Sequence, residues 1–222
     1  MASSPVPYRQ IRACYDANTI TVYQAYKVSI AEAAVTTQRL NASPDFKPGR
    51  MTWVKPSWAW MMYRSGYSYK DPGQARILAI KMKREAFLSL LEKGVLSHHV
   101  QASEKHDVAA DRTAKGREKS SDVRIQWDPE RTCKLDVLPY RSIQIGIPGA
   151  LSGTWAEEWI EAIEDVTEMA RALKKTLDDE PDVTPQELVD RGLIPRESVF
   201  HVSPSIMERL EMVDADPKRL HH

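Results

Sequence analysis

Apolar, β-branched and aromatic residues crowd the segment Thr19-Ile-Thr-Val-Tyr-Gln-Ala-Tyr26, which predicts a strand. From Ser29 to Leu40 good helix formers follow, and Asn41-Ala-Ser-Pro-Asp45 breaks the run. After the Lys47-Pro-Gly-Arg50 turn, Met51–Lys55 reads as a short strand closed by Pro56, and Ser57 is placed to cap a helix running to about Arg64. Ile77–Lys83 alternates apolar with polar and predicts a further strand, followed by a short helix over Arg84–Lys93 that Gly94 stops. Val123–Trp127 and Ser142–Ile147 alternate in the same way, separated by an Asp128-Pro-Glu-Arg-Thr132 turn and a Leu138-Pro-Tyr140 corner.

The second half reads as more helical. Thr154 and Glu157 have the spacing of a capping box. Trp159, Ile163, Val166, Met169, Ala170, Leu173 and Leu177 then recur every three or four residues, predicting one helix of about six turns. Thr184-Pro-Gln-Glu187 and Ser203-Pro-Ser-Ile-Met207 start two more helices, each with proline at the first position. Together these elements predict one α+β domain over residues 1–222: a mixed, mainly antiparallel sheet of five or more strands with flanking helices. A charged segment at about 103–122 is expected to form a mobile surface loop.

Composition fits a domain with a substantial core, since 42% of the 222 residues are hydrophobic and 28% are charged. No run approaches eighteen apolar residues and the N-terminus has no secretory pattern, so a cytoplasmic location without membrane association is expected. Cys14 and Cys133 have neither CxxC spacing nor a neighbouring histidine, and His98-His99 has no carboxylate at ligand spacing, so no metal is expected. Phosphate-loop, GxGxxG, HExxH and GxSxG patterns are absent, which argues against the common hydrolase and dehydrogenase classes. The net charge of zero conceals a division: residues 1–100 carry 14 Lys+Arg against 6 Asp+Glu, and residues 101–222 carry 17 against 25. The basic first half suits an anionic ligand.

Unusual residues concentrate in two blocks, Ile11–Tyr26 and Arg50–Gly66. The first holds Arg12, Tyr15, Asp16, Tyr23, Gln24 and Tyr26; guanidinium forks and phenol faces suit a phosphate-bearing nucleotide or a splayed base. The second places three of the six tryptophans, Trp53, Trp58 and Trp60, within eight residues, beside Thr52, Lys55, Ser57, Tyr63 and Arg64. A helix beginning after Pro56 would also present free backbone N–H groups to an anion. A structural alternative makes Arg12 and Asp16 an ion pair and the tryptophans part of the core.

The strings Ile11-Arg-Ala-x-Tyr-Asp16, Val22-Tyr-Gln-Ala-Tyr26 and Arg50-Met-Thr-Trp-Val-Lys-Pro-Ser-x-x-Trp-Met-Met-Tyr-Arg-Ser-Gly66 resemble a bacterial and fungal domain-of-unknown-function family, the one numbered forty-two ninety-one. Arg141-Ser-Ile-Gln-Ile-Gly146 and Ser198-Val-Phe-His-Val202 extend the resemblance over nearly the whole chain. A weaker similarity is to the ADP-ribosyltransferase fold. Val22–Tyr26 stands where those enzymes open with a Tyr-His-x-Thr strand, Met51–Tyr63 where their aromatic strand and serine-capped helix lie, and Gln144 where their last motif has its glutamate. This resemblance implies NAD as a substrate, with nucleic acid as a possible ADP-ribose acceptor.

Within it, Gln24, Asp16 and Gln144 take the catalytic positions. Arg12, Tyr15, Tyr23, Tyr26, Thr52, Trp53, Lys55, Ser57, Tyr63 and Arg64 form the dinucleotide-binding set. Glutamine supplies no negative charge to stabilise a ribosyl cation, so another acid is required, and Asp16 is the candidate. A different reading is a non-catalytic module that binds single-stranded RNA or DNA by stacking on Trp53, Trp58, Trp60 and Tyr63.

Overall fold

The computed structural model describes residues 6–97 and 122–215. In chain order the elements are β1 (Arg12–Ala13), β2 (Thr19–Tyr26), α1 (Val28–Thr37), β3 (Thr52–Val54), α2 (Trp58–Ser65), β4 (Arg76–Lys83), α3 (Arg84–Glu92) and β5 (Gly94–Leu96). They continue with β6 (Val123–Arg131), β7 (Val137–Ile147), α4 (Ser152–Thr154), β8 (Ile160–Asp165), α5 (Thr167–Asp179), α6 (Pro185–Asp190), β9 (Ser198–Val199) and α7 (Pro204–Arg209). The class is α+β with predominantly antiparallel sheets, as expected. The strands are divided among three sheets, β1-β9, β2-β4-β8 and β3-β7-β6-β5, rather than forming one of five or more. β5 and β6 pair in parallel, and the other strand pairs among the described residues are antiparallel.

Among the described residues one backbone bridge joins the two larger sheets, in which Tyr23 N–H donates to the Lys55 carbonyl and Lys55 N–H donates to the Tyr23 carbonyl. Pro56 has no N–H to continue the ladder, so β3 ends there and α2 begins. On the other side of the Tyr23–Lys55 junction, Gln24–Tyr26 and Thr52–Val54 continue in different sheets. Alternation along β2 sends Val22 into the main core with Ile80, Ile143 and Ile145, and Tyr23 into a second cluster with Trp58, Met61, Met62 and Leu173.

Two further sequence expectations fail. The six-turn helix from Thr154 does not exist. The chain forms α4, a π-helical turn over Trp155–Trp159 and then β8, before α5 starts at Thr167. Thr154 makes no side-chain cap bond. Ile160-Glu-Ala-Ile-Glu-Asp165 keeps apolar residues at 160 and 163 as a helix would, but pairing with β4, through a register shift beside Ile160, decides for strand. Asp165 then accepts from the Thr167 backbone N–H at 2.9 Å and starts the real helix. The second failure is the predicted turn at residues 128–132. Asp128-Pro-Glu-Arg131 stays in β6, with Pro129 tolerated at a register shift against β7, and the chain reverses at Thr132–Asp136.

The remaining helix signals hold. Ser57 accepts from Trp60 N–H at 3.1 Å, Thr184 and Glu187 form a reciprocal capping box, and Ser203 accepts from Ile206 N–H. At the C-terminus of α1, Gln38 takes a left-handed conformation with φ 56°. Its side-chain amide donates to the Ile163 carbonyl at 3.0 Å and accepts from the Ile163 N–H at 2.9 Å. Among the described residues no helix is long and apolar enough to cross a membrane. The expected loop at 103–122 falls almost wholly outside the described residues, as do His98, His99, His221 and His222.

Candidate functional site

Beside the Tyr23–Lys55 junction, a cleft of about 610 Å³ opens between β2, β3, β6, β7 and the C-terminal turn of α2. Its walls carry Arg50, Lys55 and Arg64, the glutamines Gln24, Gln74, Gln126 and Gln144, and the apolar surfaces of Met51, Trp53 and Met61. Ala25, Tyr26 and Thr52 complete the lining. Of the residues singled out in the sequence, Gln24, Tyr26, Thr52, Trp53, Lys55, Arg64 and Gln144 thus meet in one place.

Strand alternation accounts for much of the set. On β6 and β7 the odd positions Ile125, Trp127, Ile143 and Ile145 face the core, leaving Gln126 and Asp128 opposite Gln144 and Ser142 on the other face. Trp53 lies flat on this face because Gly146, its cross-strand partner, has no side chain. A Cβ there would come within 3.0 Å of the indole. Behind it, Gly149 approaches Gly49 so closely that a Cβ would fall 2.1 Å from the Gly49 carbonyl oxygen, which seats the loop carrying Arg50 against the end of β7.

The polar side chains are ordered by one another. Tyr26 donates to Gln24 Oε1 at 2.9 Å, and Gln24 Nε2 donates to Thr52 Oγ1 at 2.6 Å and to the Trp53 carbonyl at 3.1 Å. Gln24 thereby ties β2 to β3, spending both amide protons, and burial holds the Tyr26 phenol well above its usual range. Gln144 Nε2 donates to Gln126 Oε1 and to Asp128 Oδ2, each at 2.7 Å. Asp128 is buried directly behind the cleft wall.

Lys55 is only 6% exposed, and its Nζ sits 4.8 Å from the centroid of the Trp60 ring. Burial pushes its ammonium down to about 7; Arg64 adds repulsion and Asp128 opposes the shift.

The other expected residues lie elsewhere. Asp16 is exposed and caps a turn, accepting from Asn18 N–H, Thr19 N–H and Thr19 Oγ1, and these bonds hold its carboxyl below the usual range. It does not line the cleft. Neither does it pair with Arg12: on β1, that residue lies among Glu130, Tyr140 and Glu197, with which it interacts electrostatically. Tyr15 hydrogen-bonds the Val199 carbonyl and meets Phe200 edge to face, supporting the C-terminal segment. Tyr23 packs on Trp58 inside the second core cluster. Tyr63 is 43% exposed on the far side of α2, with the Arg131 guanidinium 3.9 Å from its ring centre.

The anion site expected at the start of α2 is filled by the protein itself. Glu197 accepts from Trp58 N–H at 2.7 Å, and Ser57, whose oxygen caps Trp60 N–H, donates to Glu130 at 3.0 Å. Burial raises the Glu130 carboxyl and pushes Glu197 up to about 8, each against opposing contributions from Arg12 and from a backbone N–H.

Sequence reading missed Asp128, Gln126 and Gln74 in or behind the cleft, and Glu130 and Glu197 beside it. The alternation Ile125–Trp127 would have placed Gln126 and Asp128 on one face had the strand been extended through Pro129. For Glu197 no local signal existed.

A family model described as domain of unknown function (DUF4291) matches residues 10–200, a span that contains every residue of the cleft. No curated protein matches the chain.

Proposed function

Because the chain belongs to the DUF4291 family, whose description assigns no activity, we propose a function from the cleft: it binds an NAD-type dinucleotide and transfers its ADP-ribose. The observation that carries this reading is the convergence of Arg50, Lys55 and Arg64 with Trp53 and a set of primary amides in one 610 Å³ cleft. Arginine forks match a pyrophosphate, an indole face suits a flat heteroaromatic ring, and glutamine amides match carboxamide and ribose hydroxyls. Gln24 acts mainly by fixing the junction of the two sheets, since its protons are already committed.

In the reaction, the bond between the ribose anomeric carbon and the nicotinamide nitrogen breaks, and nicotinamide leaves with the electron pair. The acceptor's oxygen or nitrogen then bonds to that carbon and releases its proton to solvent or to a nearby base. Positive charge develops on the ribose as the first bond lengthens, and Asp128 supplies the opposing charge through its hydrogen bond to Gln144. Asp128 thus takes the role first sought in Asp16.

Burial of Trp58 and Trp60 at 3% and 7% exposure leaves two of the four expected stacking residues unavailable to single-stranded nucleic acid, which favours the dinucleotide reading. Incubating the protein with NAD labelled in both halves, with and without nucleic acid or protein acceptors, tests it. Saturable binding with nicotinamide release supports the proposal, whereas neither release nor a thermal shift at millimolar NAD overturns it.

A further inference from the structure

Lys55 differs from the two arginines beside it. It lines a cleft large enough for a small phosphorylated ligand, yet among the described residues its Nζ has no hydrogen bond or ion pair, only the face of Trp60. Its side chain is more than nine-tenths buried, so it does not reach away into bulk water. Arg64 lines the same cleft and repels a second positive charge, while Asp128, engaged with Gln144, draws it more weakly. A primary amine in such surroundings is populated in its neutral form, and a neutral amine is a nucleophile toward carbonyl carbon.

We propose that the cleft takes phosphate-bearing aldehydes and that Lys55 captures them reversibly as an imine. Arg50 and Arg64 hold the phosphate. The Nζ lone pair attacks the aldehyde carbon, one amine proton passes to the carbonyl oxygen to give a carbinolamine, and the hydroxyl then takes the second amine proton and leaves as water as the C=N bond forms. ADP-ribose, whose terminal ribose opens to an aldehyde, belongs to this ligand class. The proposal rests on the phosphate-binding reading of the cleft for the anchoring of the ligand, and on Lys55 alone for the chemistry.

The full chain is treated with equimolar pyridoxal 5′-phosphate at neutral pH, reduced with borohydride, and mapped by peptide mass. Reduction converts the C=N bond to a stable secondary amine and so records which lysine reacted. The expected result is one label per chain on Lys55, acquired at least roughly tenfold faster than on an exposed lysine such as Lys175, because a far larger fraction of Lys55 is unprotonated. Pyridoxal without the phosphate labels Lys55 at least about tenfold more slowly, Arg64→Ala reduces labelling by a similar factor, and reduced labelling with ADP-ribose falls on the same residue. Label spread over exposed lysines with Lys55 unmodified overturns the proposal, and this measurement needs no variant to fold. Capture at Lys55 without any NAD binding leaves the capture standing and removes the transferase reading. NAD binding with an unreactive Lys55 does the reverse.

Discussion

Gln144 donates from Nε2 to Asp128 Oδ2 across the β6–β7 ladder at 2.7 Å. A carboxylate only accepts, so this bond fixes which end of the Gln144 amide faces inward. Asp128→Asn keeps the shape and removes the charge. Nicotinamide release is expected to fall roughly a hundredfold while NAD affinity stays within about threefold, because the charge matters only as the ribosyl cation forms. Single-turnover release beside equilibrium binding separates the two effects, and unchanged release in the variant removes Asp128 from the mechanism.

Arg50 and Arg64 line the cleft, whereas Arg12 sits with Glu130 and Glu197 at the start of α2. Replacing either cleft arginine with alanine is expected to weaken NAD binding about tenfold, with a reduced salt dependence. Arg12→Ala should leave affinity within about twofold and lower stability by about 1–3 kcal/mol, since two partly buried carboxyl groups lose their cationic neighbour. Calorimetric titration and denaturant unfolding of the same three proteins give both readings.

Lys55 is expected to make the protein less stable at neutral and lower pH. With its ammonium at about 7 in the folded chain and 10.5 as the ordinary value, the charged form costs stability fully below pH 7. The cost fades as pH rises from 7 to 10.5, where the unfolded chain binds the extra proton. Lys55→Met should therefore be more stable than wild type below pH 7, by up to about 5 kcal/mol, and the gap should close toward pH 10. A constant gap across that range would mean that Lys55 is not depressed.

Glu197 titrates in the opposite sense. Its carboxyl rises from 4.5 to about 8 on folding, so the folded chain binds the extra proton between those values. Stability is highest below pH 4.5 on this account and falls as pH rises through 8. Glu197→Gln retains an oxygen for Trp58 N–H and has no charge. Its advantage over wild type should grow from pH 4.5 to 8 by about 1–3 kcal/mol, limited by the partial exposure of the residue. Urea unfolding at several pH values measures it, and no growth in the gap overturns the assignment.

Local signals were legible and competing ones were not. Ser57, Thr184 and Ser203 announced their helices because a capping hydroxyl and a following proline or aromatic run act within four residues. Six of the seven expected residues that gathered in the cleft lie on two neighbouring pieces of chain, Gln24–Tyr26 and Thr52–Arg64, which the Tyr23–Lys55 bridge holds together, and Gln144 joins them from β7. Asp128 was hidden by its neighbour: Asp-Pro ordinarily begins a turn, and only the register against β7 keeps it in a strand. Ile160–Asp165 carried only the helical spacing locally, and its strand state is decided by pairing with β4, some eighty residues earlier. Arg12 and Asp16 looked alike in sequence to the residues that converge, but their places are set by pairing with β9 and by a tight turn.

Gln38 closes an edge that would otherwise stay open. β8 is the outer strand of its sheet, and at Ile163 the outward N–H and carbonyl meet a side-chain amide of complementary polarity instead of another backbone. A second molecule arriving there finds its docking template already occupied, at the cost of one residue held at φ 56°. The protection against intermolecular strand addition therefore resides in a single side chain at the end of a helix, and Gln38→Leu would surrender it without touching the cleft.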